Sequence, residues 1–245
     1  RDTSVTGVQT CALPIFGSYH GHHDYVMVDI GLSVYEMGDR DNYPSLAYGK
    51  GIPDAVTQMT IAVPFNDAPA LERRLERLRA ENKLPACLIM EAALMNCGVI
   101  LPEPGYLDEV RRITKKFGVL WIVDEVKTGL TVAAGGATEL FGIRPDLVCL
   151  AKALGAGIPT GAIGGTDEVW QPVLDGDVYM VGTFNGNPLA MAAARANLER
   201  VMTADAYARL GAINTRLLDG AQGIIDRYRL AAYPIGIESK GVITF

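Results

Sequence analysis

The fold is decided by residues 147–165, which read LVCLAKALGAGIPTGAIGG. An apolar run of strand length ends there at a single lysine, Lys152, and a glycine-rich turn follows at once. A lysine that follows a buried strand is costly to bury unless it is paired or neutralised, so we expect Lys152 to have a specific role. The chemistry open to it is a salt bridge, a phosphate contact or a Schiff base.

Two other apolar runs end at a carboxylate. Residues 120–123 lead into Asp124, which lies 28 residues before Lys152, and residues 86–90 lead into Glu91. Such continuous apolar runs, alternating with helical patterns, predict an α/β fold with a mainly parallel sheet covered by helices on both faces. Because ligands bind beyond the carboxyl ends of the strands in such sheets, we expect Glu91, Asp124 and Lys152 at that edge.

Helical periodicity and capping signals mark the segments between the strands. Tyr106 opens a helix that we expect Gly118 to end, because glycine tolerates the left-handed conformation of a helix cap. Residues 31–53 are rich in turn-forming residues and predict a long ordered loop. A short helix is expected to end at residues 140–142. The remaining predicted helices cover residues 71–78, 189–202 and 207–228, and a strand is predicted at 241–245.

The composition limits the classes of function. The chain has 245 residues, is 49% hydrophobic and carries a net charge of -6. We expect neither a nucleic-acid nor a membrane partner, because the chain is acidic and no apolar run approaches the ~20 residues of a membrane-spanning helix. All the histidines lie within residues 20–23, without further ligands at metal-site spacing, so no metal is expected. The cysteines also lack such spacing, which favours reduced thiols in a cytoplasmic setting.

Residues 1–15 are unlike the rest of the chain. The run SVTGVQTCALPI, at residues 4–15, resembles the translation of a common high-throughput sequencing adapter. We therefore predict that residues 1–15 are a tail that is not native, and we leave them out of the fold. On this interpretation residues 16–203 form part of a large domain, residues 204–245 begin a small C-terminal α+β domain, and the native N-terminal part is missing. The alternative is an ordinary loose terminus.

Five motifs occur in series and carry a resemblance to a known family. They are YHGHHD at 19–24, Glu91 with Asn96, DEV at 124–126, Lys152 before a Gly-x-Gly-x-Pro turn, and GT at 182–183 with GNP at 186–188. In this order they resemble the class III aminotransferases of the fold-type I pyridoxal phosphate enzymes, most of all the glutamate-1-semialdehyde aminomutase branch. The resemblance runs from Phe16 to the C-terminus. It implies a three-layer α/β/α large domain, pyridoxal 5'-phosphate as cofactor, and a homodimer.

The resemblance implies two catalytic residues. Lys152 is similar to the family's Schiff-base lysine, which joins the cofactor and then moves a proton between substrate and cofactor. Asp124 resembles the carboxylate that keeps the pyridine nitrogen protonated, so that the ring accepts electrons. Glu125, which the two-residue strand period turns to the other face, is interpreted as a support or a salt bridge. The alternative for Lys152 is a lysine that only pairs with a nearby carboxylate.

The resemblance also implies the residues around the cofactor ring. Tyr19 and Val126 are expected to pack on its two faces, and His20 to assist from the side. Glu91 and Asn96 match positions that orient the surroundings of the catalytic aspartate and contact the phenolic oxygen of the ring. The alternative for Tyr19 is an aromatic residue of the core.

Thr183 resembles the threonine that crosses the dimer interface to the phosphate of the partner subunit's cofactor. Its alternative role is to cap a helix, because Ser and Thr are common caps. The glycines after Lys152 are expected to shape its turn rather than to bind phosphate. The family's main phosphate-binding turn precedes the motif at 19–24, and we expect it in the missing N-terminal part.

The leading interpretation is amino-group transfer, by an aminotransferase or by an aminomutase that acts on an amino acid or an amino-aldehyde. Lys127 and Thr131 depart from the residues usual in semialdehyde aminomutases, so a transaminase acting on β- or ω-amino acids is an equal contender. A chain that keeps the fold and the dimer surface without catalysis is a different class of interpretation. A nicotinamide-dependent dehydrogenase is disfavoured, because no Gly-x-Gly-x-x-Gly follows an early strand.

Overall fold

The computed structural model describes residues 12–28 and 38–245. Residues 31–37 of the predicted loop and residues 1–11 of the predicted tail therefore lie outside the described residues. Two compact units make up the chain: the first comprises Arg1–Cys97 and Leu101–Val123, and the second comprises Gly98–Ile100 and Asp124–Phe245. The domain boundary expected after residue 203 stays a prediction.

The first unit is built on strands that pair in chain order and in parallel, namely β1 (Ala12–Pro14), β2 (Cys87–Met90) and β3 (Leu120–Asp124). The register sets Leu88 opposite Leu13 on one side and Trp121 on the other. These three side chains are 1% exposed or less, so the centre of the sheet is dry core. The helices of this unit are α1 (Asp54–Thr57), α2 (Ala68–Ala80) and α3 (Tyr106–Phe117), and a 3₁₀ turn covers Asp24–Val26.

Residues 12–15, which the sequence led us to leave out of the fold, belong to its interior. Ala12–Pro14 form β1, and the side chains of Leu13 and Ile15 are 0% and 1% exposed. They are buried because β2 lies beside them, a partner more than seventy residues away in sequence. The expectation that the tail takes no part in the fold is wrong for these residues, whereas its adapter origin stays a prediction.

Local sequence explains the two longer helices of the first unit. Asp67 caps α2 by accepting a backbone N–H three residues later, at 3.0 Å. The buried face of α2 includes Leu71, Leu75 and Leu78, as the helical periodicity predicts. α3 ends at Gly118, whose φ of 69° lies in the left-handed region, so that prediction is also confirmed.

The second unit alternates short strands with helices. Its helices are α4 (Gly136–Leu140), α5 (Asp167–Leu174), α6 (Pro188–Ala196) and α7 (Ala204–Tyr228). Its strands are β4 (Leu147–Leu150), β5 (Ala162–Gly165), β6 (Tyr233–Ile237) and β7 (Lys240–Thr244). A 3₁₀ turn covers Lys152–Gly155, and a π-helical turn, Asn197–Val201, continues α6.

β5 runs antiparallel to β4, with Leu147 opposite Gly165; no strand was predicted for these residues. The two strands are joined by residues 151–161, a connection shorter than the dozen or more residues that a parallel crossover needs. The glycine-rich run therefore folds back on the strand that precedes it. Its small residues carry the backbone pairing but no apolar pattern, which is why the pattern indicated only a turn.

The C-terminal elements follow the predicted pattern closely. The helix predicted at 189–202 is α6 with its π-helical extension, and the helix predicted at 207–228 begins three residues earlier. The strand predicted at 241–245 is confirmed as β7, which pairs antiparallel with β6. Across residues 12–28 and 38–245, no helix is both long and apolar enough to cross a membrane.

Candidate active site

Asp124 ends β3 and is only 6% exposed. Its Oδ1 accepts the backbone N–H of Val126 at 2.9 Å. An aspartate that accepts an N–H two residues later turns the chain out of the strand, so the side chain stays at the strand end while the backbone leaves it. The carboxylate is thus held in place by its own loop.

Asp124 belongs to the second unit, and the residue after it is hydrogen-bonded to β4 of the same unit. The backbone N–H of Glu125 donates to the carbonyl of Cys149 at 2.9 Å. Burial raises the pKa of the Cys149 thiol to about 11, and the negative charge of Asp124 adds to the rise. The Asp124 carboxylate therefore acts electrostatically on the strand that leads to Lys152.

Lys152 opens the 3₁₀ turn that follows β4, and its side chain is exposed in the chain. The expectation of a buried cation is wrong here, because the half-buried β4 delivers the lysine into an open turn. The backbone of Lys152 has a φ of +40°, in the left-handed region that non-glycine residues seldom occupy. Such backbone strain persists where surrounding contacts enforce it, and it concentrates at functional sites.

The glycines after Lys152 shape this turn, as the sequence predicts. A Cβ on Gly155 would lie 2.8 Å from the Oγ1 of Thr160, so no larger residue fits without a shift. Gly157 has a φ of +101°, which side-chain-bearing residues rarely adopt. The turn is therefore specified by close backbone approach and by conformational freedom at these two positions.

Glu125 is a support, which is one of the two roles expected for it. Its side chain is 2% exposed and accepts the backbone N–H groups of Ala137 at 2.9 Å and Thr138 at 2.7 Å, together with the hydroxyl of Thr128. The first two donors lie at the start of α4, where N–H groups lack helical partners. The buried Glu125 carboxylate therefore links the end of β3 to the start of α4.

Lys240 is a residue near the site that sequence reasoning missed. It lies on β7 and is half-buried; burial lowers its pKa, and the positive charges of Lys127 and Lys152 lower it further. The neighbouring Ser239 donates its hydroxyl to the carbonyl of Thr131 at 2.7 Å, which ties the β6–β7 turn to the segment after Asp124. No local sequence signal marks this approach, because the residues are far apart in the chain.

Thr183 is exposed in a region of exposed apolar side chains. It does not cap the helix that follows: Asn187 caps α6 by accepting the N–H of Ala190 at 2.9 Å. Tyr179 and Phe184, on either side of Thr183, are 88% and 80% exposed. Thr183 is therefore close in sequence to two large, strongly exposed aromatic side chains.

The four remaining predicted site residues belong to the first unit. Tyr19 is 37% exposed, and the Nε2 of His20 lies 2.8 Å from the hydroxyl of Ser18. Glu91 is 3% exposed and accepts the N–H of a residue four positions later at 3.0 Å, whereas Asn96 is exposed. Their roles at a cofactor stay predictions.

Comparisons with known proteins agree on one family. The model of the family "Aminotransferase class-III" matches residues 7–241. The glutamate-1-semialdehyde 2,1-aminomutase of Anaeromyxobacter dehalogenans strain 2CP-1 is 42% identical over 207 residues, which are 84% of this chain and 46% of that protein. The chain thus spans about half the length of the curated relatives it matches.

Solved structures of similar proteins confirm the predicted fold class. An omega-transaminase from Sphaerobacter thermophilus matches 98% of this chain and 54% of its own, with a TM-score of 0.87 and 30% identity. A structure described as a transaminase with PLP bound covers 96% of this chain and 53% of its own, with a TM-score of 0.81 and 25% identity. The chain therefore has the three-layer α/β/α fold of the fold-type I transferases, and it belongs to the class III aminotransferase family of enzymes.

Proposed function

We propose that the protein to which this chain belongs transfers amino groups with pyridoxal 5'-phosphate as cofactor, and that Lys152 binds the cofactor covalently. One observation carries the proposal. A buried carboxylate, Asp124, and the amine of Lys152 follow two strand segments that are hydrogen-bonded through Glu125 and Cys149. An anion and an amine at neighbouring strand ends are the two groups that a cofactor with a basic ring nitrogen and an aldehyde requires.

The donor set fits the cofactor. When bound, pyridoxal phosphate supplies an aldehyde for amine exchange and a ring that accepts electron density. Asp124 is suited to hold a proton on a ring nitrogen, because its carboxylate is buried and its Oδ1 is already fixed by the N–H of Val126. A charge-assisted hydrogen bond of this kind contributes about 1.5–3 kcal/mol.

Lys152 provides the amine. Its exposed Nζ is accessible to an aldehyde, and after release it is the base that would take a proton from the substrate carbon. A lysine that served only to pair with a carboxylate would not need a left-handed backbone at its own position.

The walls of the site are proposed from the family motifs. Val126 and Tyr19 would contact the two faces of the cofactor ring, and His20 would assist from the side. Glu91 and Asn96 would orient the surroundings of the catalytic aspartate and contact the ring's phenolic oxygen. Glu91 is buried and already holds a backbone N–H, which suits an orienting role.

We also propose a homodimer in which Thr183 contacts the phosphate of the partner subunit's cofactor. The exposed apolar side chains beside Thr183 support this, since a second copy would remove them from water. They fall within residues 163–191 and include Ile163, Leu174, Tyr179, Val181, Phe184 and Leu189.

The substrate class is an amino acid or an amino-aldehyde. A relative named as an aminomutase favours internal transfer, and a similar structure named as an omega-transaminase favours an ω-amino donor, with β-amino acids as the neighbouring class. A cytoplasmic location is part of the proposal. It rests on the sequence, in which the cysteines lack paired spacing and Cys87 and Cys149 lie within apolar runs.

The proposal is tested by mixing the protein with pyridoxal phosphate and screening amine donors and acceptors for product. Release of a keto acid from the donor indicates a transaminase, and isomerisation of a single substrate indicates an aminomutase. Lys152→Ala should abolish turnover, whereas the neighbouring Lys127→Ala should retain it. A protein that folds and dimerises but transfers no amino group to any acceptor would instead support the non-catalytic alternative.

A further inference from the structure

Asn197 is a buried amide that connects α6 to the turn carrying Lys152. It is 3% exposed and is the first residue of the π-helical turn. Its Nδ2 donates to the carbonyl of Ala153 at 2.7 Å and to that of Leu154 at 3.4 Å. These carbonyls belong to the two residues that directly follow Lys152, so one side chain from a distant helix holds both.

The turn needs an external restraint of this kind. Lys152 and Ala156, at its two ends, have φ values of +40° and +48°, which cost free energy for residues with a Cβ. Inside the turn, the backbone N–H of Leu154 donates to the carbonyl of Ala151 at 2.9 Å. A single short hydrogen-bonded turn does not enforce two left-handed residues, so packing from outside must do so.

The surroundings of Asn197 make its hydrogen bonds hard to replace. Leu154, Leu130 and Ala194 form a buried apolar cluster, and Ala153 and Met202 pack against it. Water reaches such a cluster poorly. Without the Asn197 amide, the carbonyl of Ala153 keeps only the backbone N–H of Ala156 at 3.3 Å, and the carbonyl of Leu154 loses its side-chain donor. A π-helical turn is itself rare and frequently occurs at functional sites.

We propose that Asn197 is a positioning residue for Lys152: by donating to the carbonyls of Ala153 and Leu154, it fixes the turn that presents the lysine amine. The inference rests on the proposed role of Lys152 as the residue that binds the cofactor. Asn197 touches neither substrate nor cofactor in this scheme and acts only through the backbone.

The chain offers a matched control in Asn214. This amide is 6% exposed, and its Nδ2 also bridges two carbonyls, those of Glu238 at 2.8 Å and Lys240 at 3.0 Å. It holds the β6–β7 turn rather than the turn after Lys152. Asn197→Asp and Asn214→Asp thus remove the same kind of donor from equally buried places.

The test is the rate at which pyridoxal phosphate and borohydride label Lys152, read by peptide mass spectrometry relative to labelling of Lys127. Asn197→Asp should slow labelling of Lys152 about tenfold, the equivalent of one lost hydrogen bond, while Asn214→Asp should stay within about twofold. The ratio to Lys127 separates positioning from a general loss of structure. If Asn197→Asp does not fold, Asn197→Ala removes the donor without adding a charge and should slow labelling in the same direction.

Two outcomes would overturn the inference. Either Lys152 is labelled as fast in the Asn197 variants as in the unsubstituted protein, or Asn214→Asp slows it equally. Failure of the proposed function is distinguishable from both, because Lys152 of the unsubstituted protein would then be labelled no faster than Lys127, and the positioning role would fall with it.

Discussion

The two strand ends that form the candidate site are built differently. On the carboxylate side, Asp124 and Glu125 are buried and bonded to backbone N–H groups of their own segment. On the amine side, Lys152 is exposed and its backbone is left-handed, and its turn is held by the amide of Asn197, in the π-helical turn after α6. The difference indicates that the carboxylate is fixed by the local chain, whereas the amine depends on distant support.

The largest expected effect comes from removing the buried carboxylate of Glu125, beside Asp124. Glu125→Leu keeps a similar volume but removes the acceptor of three donors, leaving the N–H groups of Ala137 and Thr138 buried and unpaired. The free energy of unfolding should fall by about 3 kcal/mol or more, measured by urea denaturation.

Its control is Glu139→Gln, a carboxylate that is exposed and accepts a single N–H from Gly135. That change should cost less than about 1 kcal/mol. Equal losses in the free energy of unfolding from the two substitutions would mean that the hydrogen bonds of Glu125 to α4 do not stabilise the segment after Asp124.

The next effect concerns the charge of the carboxylate. Because the pKa of Cys149 is raised to about 11, first by burial and then by Asp124, its thiol stays protonated at pH 8.5. In the reduced protein Cys149 should be alkylated about a hundredfold more slowly than the exposed Cys97, measured by mass spectrometry. Asp124→Asn should speed alkylation of Cys149. An unchanged rate would show that the charge of Asp124 does not affect the Cys149 thiol.

On the amine side, the exposed apolar surface should be covered by a second copy. Phe184→Ser should weaken dimerisation about 30-fold, since large aromatic residues dominate interfaces, measured by sedimentation equilibrium. Tyr228→Ser, an equally simple truncation of an exposed aromatic at the end of α7, should leave the dimer unchanged. An unsubstituted protein that sediments only as a monomer would remove the proposed role of Thr183.

The smallest expected effect concerns Lys240, a lysine near Lys127 and Lys152. The pKa of Lys240 is lowered by burial and by Lys127 and Lys152, so the folded protein binds this proton less tightly than the unfolded chain. The free energy of unfolding should therefore increase as the pH rises through the folded pKa of Lys240 towards 10.5. In Lys240→Met this increase should be smaller than in the unsubstituted protein. At pH 7 that variant should melt about 2 °C higher.

Lys116→Met is the control, because the pKa of Lys116 is shifted in the opposite direction: hydrogen bonding to Glu72 raises it. Its melting temperature at pH 7 should not rise. A Lys240→Met protein that melts lower than the unsubstituted protein would show that Lys240 is not destabilised by its neighbours.

The sequence predicts what local patterns control. Apolar runs place Asp124 and Lys152 at strand ends, and Gly118 marks the end of α3 because its backbone conformation is a local property. Prediction from the sequence fails where a structural feature depends on a partner that is distant in sequence. Residues 12–14 form a buried strand only because β2 lies beside them, and Asn197 reaches the turn of Lys152 across 43 intervening residues.

The exposure of Lys152 is a further limit of the same kind. An apolar run predicts a buried strand, but the four residues of β4 are each only half-buried, and β5 beside them is built from small residues. Whether the side chain after such a strand is buried depends on what covers the turn, which no pattern within residues 147–165 specifies.

The central claim is that Lys152 is the amine that binds pyridoxal phosphate. The most direct measurement is to mix the protein with pyridoxal phosphate, reduce with borohydride, and map the modified lysine by peptide mass spectrometry. We predict a single dominant adduct on Lys152, which is absent from a folded Lys152→Ala variant. A dominant adduct on another lysine, or an adduct that persists at the same level in Lys152→Ala, would contradict it.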